Sequence, residues 1–315
     1  MSDCLQIRGA TKRYPGGIVA VNGVSLTARC GTVTALLGPN GSGKSTLLAM
    51  AAGVLRPSSG VFLVAGLEVW GPHGGEARRL LGYMPQVEPF HPLLTGWENL
   101  ALHASTRGAQ LDRGLVLELA EELGLRMEAL DRRVGGYSSG MKRKLALIAA
   151  VLHQPRVLLL DEPDSGLDPS SRRRLVGVLR RLARSGAAVV FTTHIGWSAT
   201  YTDHVVFMSQ GRVVAEGTPA GLVEKYSPWR LAELEAADLE GLYAELESLE
   251  NVERLEARGN TLLVAVRGGP DVLAAIARAA ARHGLRRLSA REPGIEDAFL
   301  AATGQPLEDL HGGDT

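Results

Sequence analysis

The sequence predicts an α/β fold, a parallel sheet sandwiched between helices, followed by a small α+β domain. Three observations carry this. Apolar strands alternate with helical stretches through the first two thirds of the chain. A glycine-rich loop joins a buried strand to an apolar helix. The composition then shifts at Lys225-Tyr226-Ser227-Pro228, and a shorter helix–hairpin–helix–strand pattern follows.

Residues 5–36 alternate short apolar strands with Gly and Pro turns, an antiparallel β pattern leading into the buried strand Val33–Leu37. The glycine loop comes next, then a helix from Thr46 to about Leu55. Residues 88–150 read as mainly helical, with Gly only at the breaks. Strand 157–161, helix 170–184, strand 187–192 and a β pair in "HVVFMSQGRVVAEG" complete the first part. In the second part Leu239, Leu242, Leu246 and Leu249 mark an amphipathic helix. "NVERLEA" and "TLLVAVRG" form a hairpin around Arg258-Gly259-Asn260. Helix 270–283 ends at the C-cap Gly284, and the strand "LRRLSAR" and a short helix at 295–303 close the domain. "GQPLEDLHGGDT" reads as a frayed tail.

The chain has 315 residues, room for about two domains. Hydrophobic residues make up 45%, enough for a sizeable core. With 34 basic and 34 acidic residues there is no global pull toward nucleic acid or anionic lipid. The Arg172-Arg173-Arg174 run, with Arg180 and Arg181, reads as a solvated helix face rather than a nucleic-acid surface. Cys4 and Cys30 lack metal-ligand spacing or a disulfide framework and read as reduced thiols in a cytosolic protein. The N-terminus lacks the layout of a secretory signal. The longest apolar run, Leu145 to Leu152, falls far short of the ~18–20 residues of a membrane helix.

"GPNGSGKST" spans Gly38, Pro39, Asn40, Gly41, Ser42, Gly43, Lys44, Ser45 and Thr46 and fits G-x-x-x-x-G-K-[ST]. In such a loop the backbone N–H groups turn toward phosphates and the helix N-terminus adds its positive dipole end. Lys44 supplies a point charge to the β- and γ-phosphates, and the Ser45 hydroxyl is placed for Mg²⁺. A bare glycine turn would leave the flanking strand and helix unexplained, so a nucleotide site is predicted.

"RVLLLDEP" is an apolar run closed by Asp161 and Glu162, which puts two carboxylates at the exit of a strand buried on both faces. Asp161 would hold Mg²⁺ through water, and Glu162 would polarise an attacking water. His194 in "VVFTTHI" and Gln86 in "LGYMPQ" also follow strand ends. His194 could sense the γ-phosphate, and Gln86 could touch metal or water. Taken alone, either is an ordinary loop residue.

In this order the pieces resemble the nucleotide-binding subunit of an ABC (ATP-binding cassette) transporter, over about residues 4–225. Tyr14 falls where that family stacks an aromatic on adenine, Gln86 at the Q-loop, and "YSSGM" at the signature. Asp161 and Glu162 fall at Walker B, "SGLD" (165–168) at the D-loop, and His194 at the switch histidine. The resemblance implies an ABC-type P-loop ATPase with a RecA-like parallel sheet core, an antiparallel β subdomain and a helical signature subdomain at about 88–145. It divides the chain into 1–225, an accessory domain at 226–304 and a disordered tail at 305–315. ATP and Mg²⁺ are the implied cofactors. Glu162, His194, Lys44 and Gln86 are the implied catalytic residues, and Ser45, Gln86 and Asp161 the implied metal residues.

The resemblance also implies a split site. ATP on one subunit's P-loop is closed by the signature, Ser138, Ser139 and Gly140, of a second copy or a paralogous ATPase, and Asp168 of the D-loop joins the implied nucleotide-binding residues. The implied partner is a polytopic transmembrane permease, which holds the chain at the cytoplasmic face of the membrane. Phe90, Leu94 and Trp97 are candidates for its groove, and ordinary packing of the subdomain explains each equally well. "REPGIEDAFLAATG" is similar to the closing segment of ABC-2 exporter-type ATPases, implying export. The alternative is a soluble ABC ATPase acting on a cytosolic assembly complex.

The chain departs from the family pattern in three places: Ser139 for glycine, Asp164 for a small hydroxyl residue, and the stretch Ile-Gly-Trp-Ser rather than acidic residues after His194. If position 139 needs positive φ, serine costs about 1 kcal/mol or more; helical dihedrals cost little.

Overall fold

A computed structural model describes residues 2–87, 89–227, 229–267 and 270–307. Its contacts divide into two compact units, one running to Pro219 and resuming at Pro306, the other spanning Ala220–Gln305.

The first unit begins with β1 (Asp3–Arg13) and β2 (Val19–Arg29), an antiparallel pair. Both alternate buried and exposed residues, as strands with one wet face do. β3 (Val33–Leu37) is buried throughout. α1 (Lys44–Ala51) follows the glycine loop, starting two residues before the sequence expectation and ending four before it. Next come β4 (Ser59–Val64), β5 (Leu67–Glu68), the short α2 (Gly74–Arg79) and β6 (Leu81–Met84). β4 and β5 extend the first pair into a sheet ordered β2-β1-β4-β5.

The helical segment is built from α3 (Gly96–Thr106), α4 (Arg113–Leu123) and α5 (Ser139–Val151). Each start is specified locally. Thr95 and Glu98 form a reciprocal capping box for α3, Asp112 caps α4, and Ser138 caps α5. Asn99, 1% exposed, holds the preceding loop by accepting from His91 N and donating to His91 O and Thr95 O.

β7 (Val157–Leu160), α6 (Pro169–Arg184), β8 (Ala188–Thr193), α7 (Gly196–Thr200), β9 (His204–Ser209) and β10 (Arg212–Gly217) finish the unit. The large sheet is ordered β10-β9-β3-β8-β7-β6, parallel except for β10 at one edge. Three of its strands, β3, β7 and β8, are buried at every residue. A single core joins both sheets around Leu47, Leu48 and Met50 of α1.

Cys4 and Cys30, expected as reduced thiols, are joined in a disulfide with their Cα atoms 5.0 Å apart. The antiparallel register, Asp3 beside Arg29 and Leu5 beside Ala28, brings together residues whose sequence spacing carries no such signal.

The second unit holds α8 (Pro219–Tyr226, entered from the last residue of the first unit), β11 (Arg230–Ala236), α9 (Leu239–Glu247), β12 (Val252–Arg258), β13 (Thr261–Val266), α10 (Pro270–Arg282), β14 (Leu285–Arg291) and α11 (Ile295–Thr303). From β11 to β14 the order is βαββαβ, with an antiparallel sheet ordered β12-β13-β11-β14. Leu242 and Leu246 of α9 and Ile276, Ala279 and Ala280 of α10 pack on Leu234, Leu262, Val264 and Val266. β11 is a central strand although "RLAELEA" scatters acids among its apolar residues and gives no clear strand signal. Of the tail expected at 305–315, residues 308–315 lie outside the described residues.

Candidate functional site

The site is assembled where parallel strands of the large sheet end. β3 leads directly into the glycine loop. A Cβ on Gly38 would stand 2.2 Å from Met208 O, and one on Gly43, whose φ is +97°, 2.3 Å from Ala20 O. No larger residue fits either position without moving backbone.

Lys44, 3% exposed, donates from Nζ to Gly38 O at 2.7 Å and Pro39 O at 2.9 Å. The ammonium is thus folded over the loop that precedes it. Burial lowers its pKa, while Glu162 and Asp161 oppose that shift. Asn40 is exposed on the same loop, and Ser42 is 3% exposed.

β7 delivers Asp161 and Glu162, 3% and 7% exposed. Asp161 Oδ1 accepts from Ser45 Oγ at 2.9 Å and from Thr192 Oγ1 at 2.6 Å. Thr192 Oγ1 in turn accepts from Glu162 N at 2.8 Å. One buried hydroxyl on β8 therefore holds both acidic residues. Sequence reasoning missed Thr192; the available signal was a hydroxyl inside an otherwise apolar strand next to the acid pair. Glu162 lies at φ +48°, a left-handed conformation rare for a branchless acidic residue outside turns, and such strain persists where surroundings enforce it.

The Glu162 carboxylate is flanked on both sides. Gln86 Nε2 donates to its Oε2 at 3.3 Å, and His194 Nδ1 lies 3.8 Å from its Oε1. At 3.8 Å the histidine contact is electrostatic rather than a hydrogen bond, and His194 Nδ1 has no hydrogen-bond partner among the described residues. His194 holds Glu162 below the usual carboxylate range against burial, with Lys44 and Gln86 helping, and the Glu162 carboxylate raises His194 in return. Burial pushes Asp161 up against the hydrogen bonds from Thr192 and Ser45. The pair therefore divides by environment: its surroundings favour the ionised form of Glu162, whereas burial opposes ionisation of Asp161.

A hydroxyl and a carboxylate oxygen held 2.9 Å apart make a hard-oxygen donor set. It fits Mg²⁺, which takes one or two protein carboxylates and completes its shell with water and phosphate oxygens. Among the described residues no cluster of three His, Cys, Asp or Glu could hold a metal without such outside oxygens.

The structure thus gathers Lys44, Ser45, Gln86, Asp161, Glu162 and His194. Other expected residues make local contacts. Tyr14 is 37% exposed in the turn between β1 and β2, with Lys12 Nζ 5.3 Å over its ring. Ser138 Oγ accepts from Met141 N as the cap of α5, and Ser139 and Gly140 form its first turn. Ser139 has no positive φ, so serine carries no left-handed strain there. Asp168 is spent locally: its carboxylate accepts from Ser170 N, Ser171 N and Ser171 Oγ, which hold it at about 2.

Arg143 Nη1 on α5 donates to Gln86 O at 2.9 Å and so ties the Ser138 helix to the Gln86 loop. Phe90 and Trp97 are half-buried, Phe90 edge-on to His103 at 5.5 Å and Trp97 under Arg113 at 4.2 Å. Leu94 is also half-buried. Arg181, from the arginine-rich helix, pairs with Glu122 at 2.9 Å and Glu118 at 3.2 Å.

This geometry has relatives. The family described as ABC transporter matches residues 21–165. Nod factor export ATP-binding protein I of Burkholderia orbicola (strain AU 1054) is 37% identical, covering 97% of this chain and 98% of its own. The chain belongs to the ABC transporter ATP-binding proteins. The relative of the same name in Rhizobium sp. (strain N33) is 34% identical over 96% of this ABC protein and 98% of its own length. Among solved structures, an ATP-binding subunit of an ABC transporter superposes with a TM-score of 0.63 at 29% identity, covering 71% of this chain and 93% of that one. The dimeric ATP-binding cassette MJ0796, bound to ADP and Pi, gives 0.63 at 25% identity, covering 68% and 98%. The fold is the ABC cassette fold, and this ABC protein is an ATPase that binds ATP. No helix among the described residues is long and apolar enough to cross a membrane.

Proposed function

We propose that this ABC ATPase drives a separate transmembrane permease in export, with ATP closed between the P-loop of one subunit and the Ser138 helix of another. The observation that carries the hydrolytic part is the convergence of Gln86 and His194 on the Glu162 carboxylate. Glu162 accepts the proton of a water attacking the γ-phosphate, and His194 sits beside it to meet the developing phosphate charge. Lys44 and the loop N–H groups hold the β- and γ-phosphates, and Ser45, Asp161 and Gln86 would hold Mg²⁺. When bound, such an ion would neutralise phosphate charge.

The Ser138 side of the reading rests on its place as the cap of α5. A capped helix N-terminus whose first turn carries Ser139 and Gly140 is a ready anion site, and a second copy is what would bring it to the γ-phosphate. Tyr14 stacks on adenine from the β1–β2 turn, and Asp168, capping α6, is counted with the nucleotide-binding residues. Export as the direction is supported by full-length similarity to Nod factor export proteins, which extends through the second unit. We further read residues 1–225 as the nucleotide-binding domain, 226–304 as an accessory domain, and the subunit's place as the cytoplasmic face of the membrane.

Glu162→Gln tests the reading. It should lower turnover by ~10²–10⁴ and trap an ATP-bound dimer. A variant that stays monomeric with ATP would sink the split site. Purifying the tagged variant from source-cell membranes with ATP should recover a chain with several membrane-spanning helices; recovery of soluble proteins only would overturn the permease partnership.

A further inference from the structure

Asp164 is a carboxylic acid with no access to solvent, at 0% exposed, in the turn that leads from β7 to α6. Its Oδ2 accepts from Thr193 Oγ1 at 2.7 Å. The same Thr193 hydroxyl accepts from Ile195 N at 2.9 Å. Thr193 and Ile195 are the two chain neighbours of His194, so the backbone on both sides of the histidine is tied to one hydroxyl. That hydroxyl is tied to Asp164.

The arrangement is costly. Burial raises the Asp164 pKa, and its Oδ1 has no hydrogen-bond partner among the described residues. Ser198 Oγ, which faces the Asp164 carboxylate and favours its charged form without reaching hydrogen-bond geometry, and His194 Nδ1 also lack hydrogen-bond partners among the described residues. A buried acid with half its acceptors unused is destabilising compared with an apolar side chain of similar size. A packing role alone gives no reason for it.

We propose that Asp164 is a positioning residue for His194, fixing through Thr193 where the imidazole stands relative to Glu162. It touches neither nucleotide nor metal in this scheme. It links two segments that the hydrolytic step needs in register: the turn after Glu162, which runs through Ser165 and Gly166 to Asp168, and the turn that carries His194. A shift of the first is passed to the second through one 2.7 Å bond. The inference rests on the proposed hydrolytic roles of Glu162 and His194.

The test is steady-state ATP hydrolysis by the full chain in Asp164→Ala, Asp164→Asn, Thr193→Val and the Asp164→Ala/Thr193→Val double variant. Misplacing the histidine should lower kcat roughly tenfold to a hundredfold in Asp164→Ala and in Thr193→Val. KM for ATP should stay within about twofold, because the P-loop is untouched. The double variant should be no worse than the poorer single one, since both cut the same link. Asp164→Asn should recover most of the rate, because its amide oxygen accepts the same hydroxyl. Three results would overturn the inference: unchanged kcat with a lowered Tm, losses that multiply in the double variant, or an asparagine no better than alanine. Should Asp164→Ala fail to fold, the near-isosteric Asp164→Asn and Thr193→Val decide alone, the first expected to keep kcat and the second to lose it. Glu162→Gln and His194→Ala are measured alongside. If both leave turnover unchanged, the hydrolytic reading fails by itself and this inference falls with it, a pattern distinct from a defect confined to Asp164 and Thr193.

Discussion

Ser45 Oγ donates a 2.9 Å hydrogen bond to Asp161 Oδ1 across 116 residues of sequence. This bond closes the glycine loop onto the acid pair and joins two of the residues proposed to hold Mg²⁺. Thr192 completes the unit from the neighbouring strand.

Thr192→Val should therefore weaken Mg²⁺ use without touching a phosphate contact. The expected outcome is a roughly 10–100-fold rise in the Mg²⁺ concentration that half-saturates ATP hydrolysis, as for other partners of metal ligands. Ser45→Ala should raise it at least as far. A Mg²⁺ titration of the three proteins checks both; an unchanged midpoint in Thr192→Val would show that Asp161 needs no such support.

Ser139→Gly should not repair anything. Ser139 lies in the first turn of α5 without positive φ, so glycine relieves no strain and loses helix propensity worth roughly 0.5 kcal/mol. Turnover within about twofold of wild type is expected, together with a slightly lower Tm. A large gain in rate would mean that the serine obstructs the site in the closed dimer.

The second unit should show its own pH dependence. His283 Nδ1 lies 3.0 Å from Asp238 Oδ2, and its Nε2 lies 2.9 Å from Glu245 Oε2; Arg282 also bonds Glu245. The Asp238 and Glu245 carboxylates raise His283 above its ordinary 6.5. Asp238 is lowered by the Gly241 N–H and then His283, and Glu245 by Arg282 and then His283. A raised histidine contributes stability that is fully present below its unfolded pKa and lost as pH rises through its folded one. The lowered carboxylates contribute above their unfolded values and lose that as pH falls through their folded ones. The staple between α9 and α10 is thus strongest between those limits. The Tm difference between wild type and His283→Gln should be largest near about pH 6 and shrink toward about pH 9. A difference that grows with pH would contradict the arrangement.

Reduction should destabilise the first unit. The Cys4–Cys30 bond closes a loop of sequence separation 26, which in the chain-entropy account is worth about 3 kcal/mol. Denaturant unfolding with and without reductant should differ by that order, and Cys4→Ser/Cys30→Ser should behave like the reduced protein in both. Unfolding indifferent to reductant would mean that the thiols are free.

Much of this protein is legible in its residues because the signals are local. "GPNGSGKST" between an apolar strand and a helix, and "RVLLLDEP" with its acids at a strand exit, specify chemistry within ten residues each. Capping residues such as Thr95, Asp112 and Ser138 mark helix starts for the same reason, since a cap bonds to N–H groups two or three positions on. Burial on both faces also leaves a local mark, a run of apolar residues, in β3, β7 and β8.

What only the tertiary structure decided depends on residues far apart in sequence. Thr192 became the hinge of the acid pair because β8 lies beside β7, and Asp164 became the anchor of the His194 turn for the same reason. Cys4 and Cys30 met through the β1–β2 register. Ser139 was settled by a dihedral angle that its identity alone leaves open. β11 takes a central place in its sheet although its own residues read as mixed, because pairing on both edges supplies the hydrogen bonds that its sequence does not advertise. Local bonding writes itself into neighbouring residues; pairing between strands is written only in the fold.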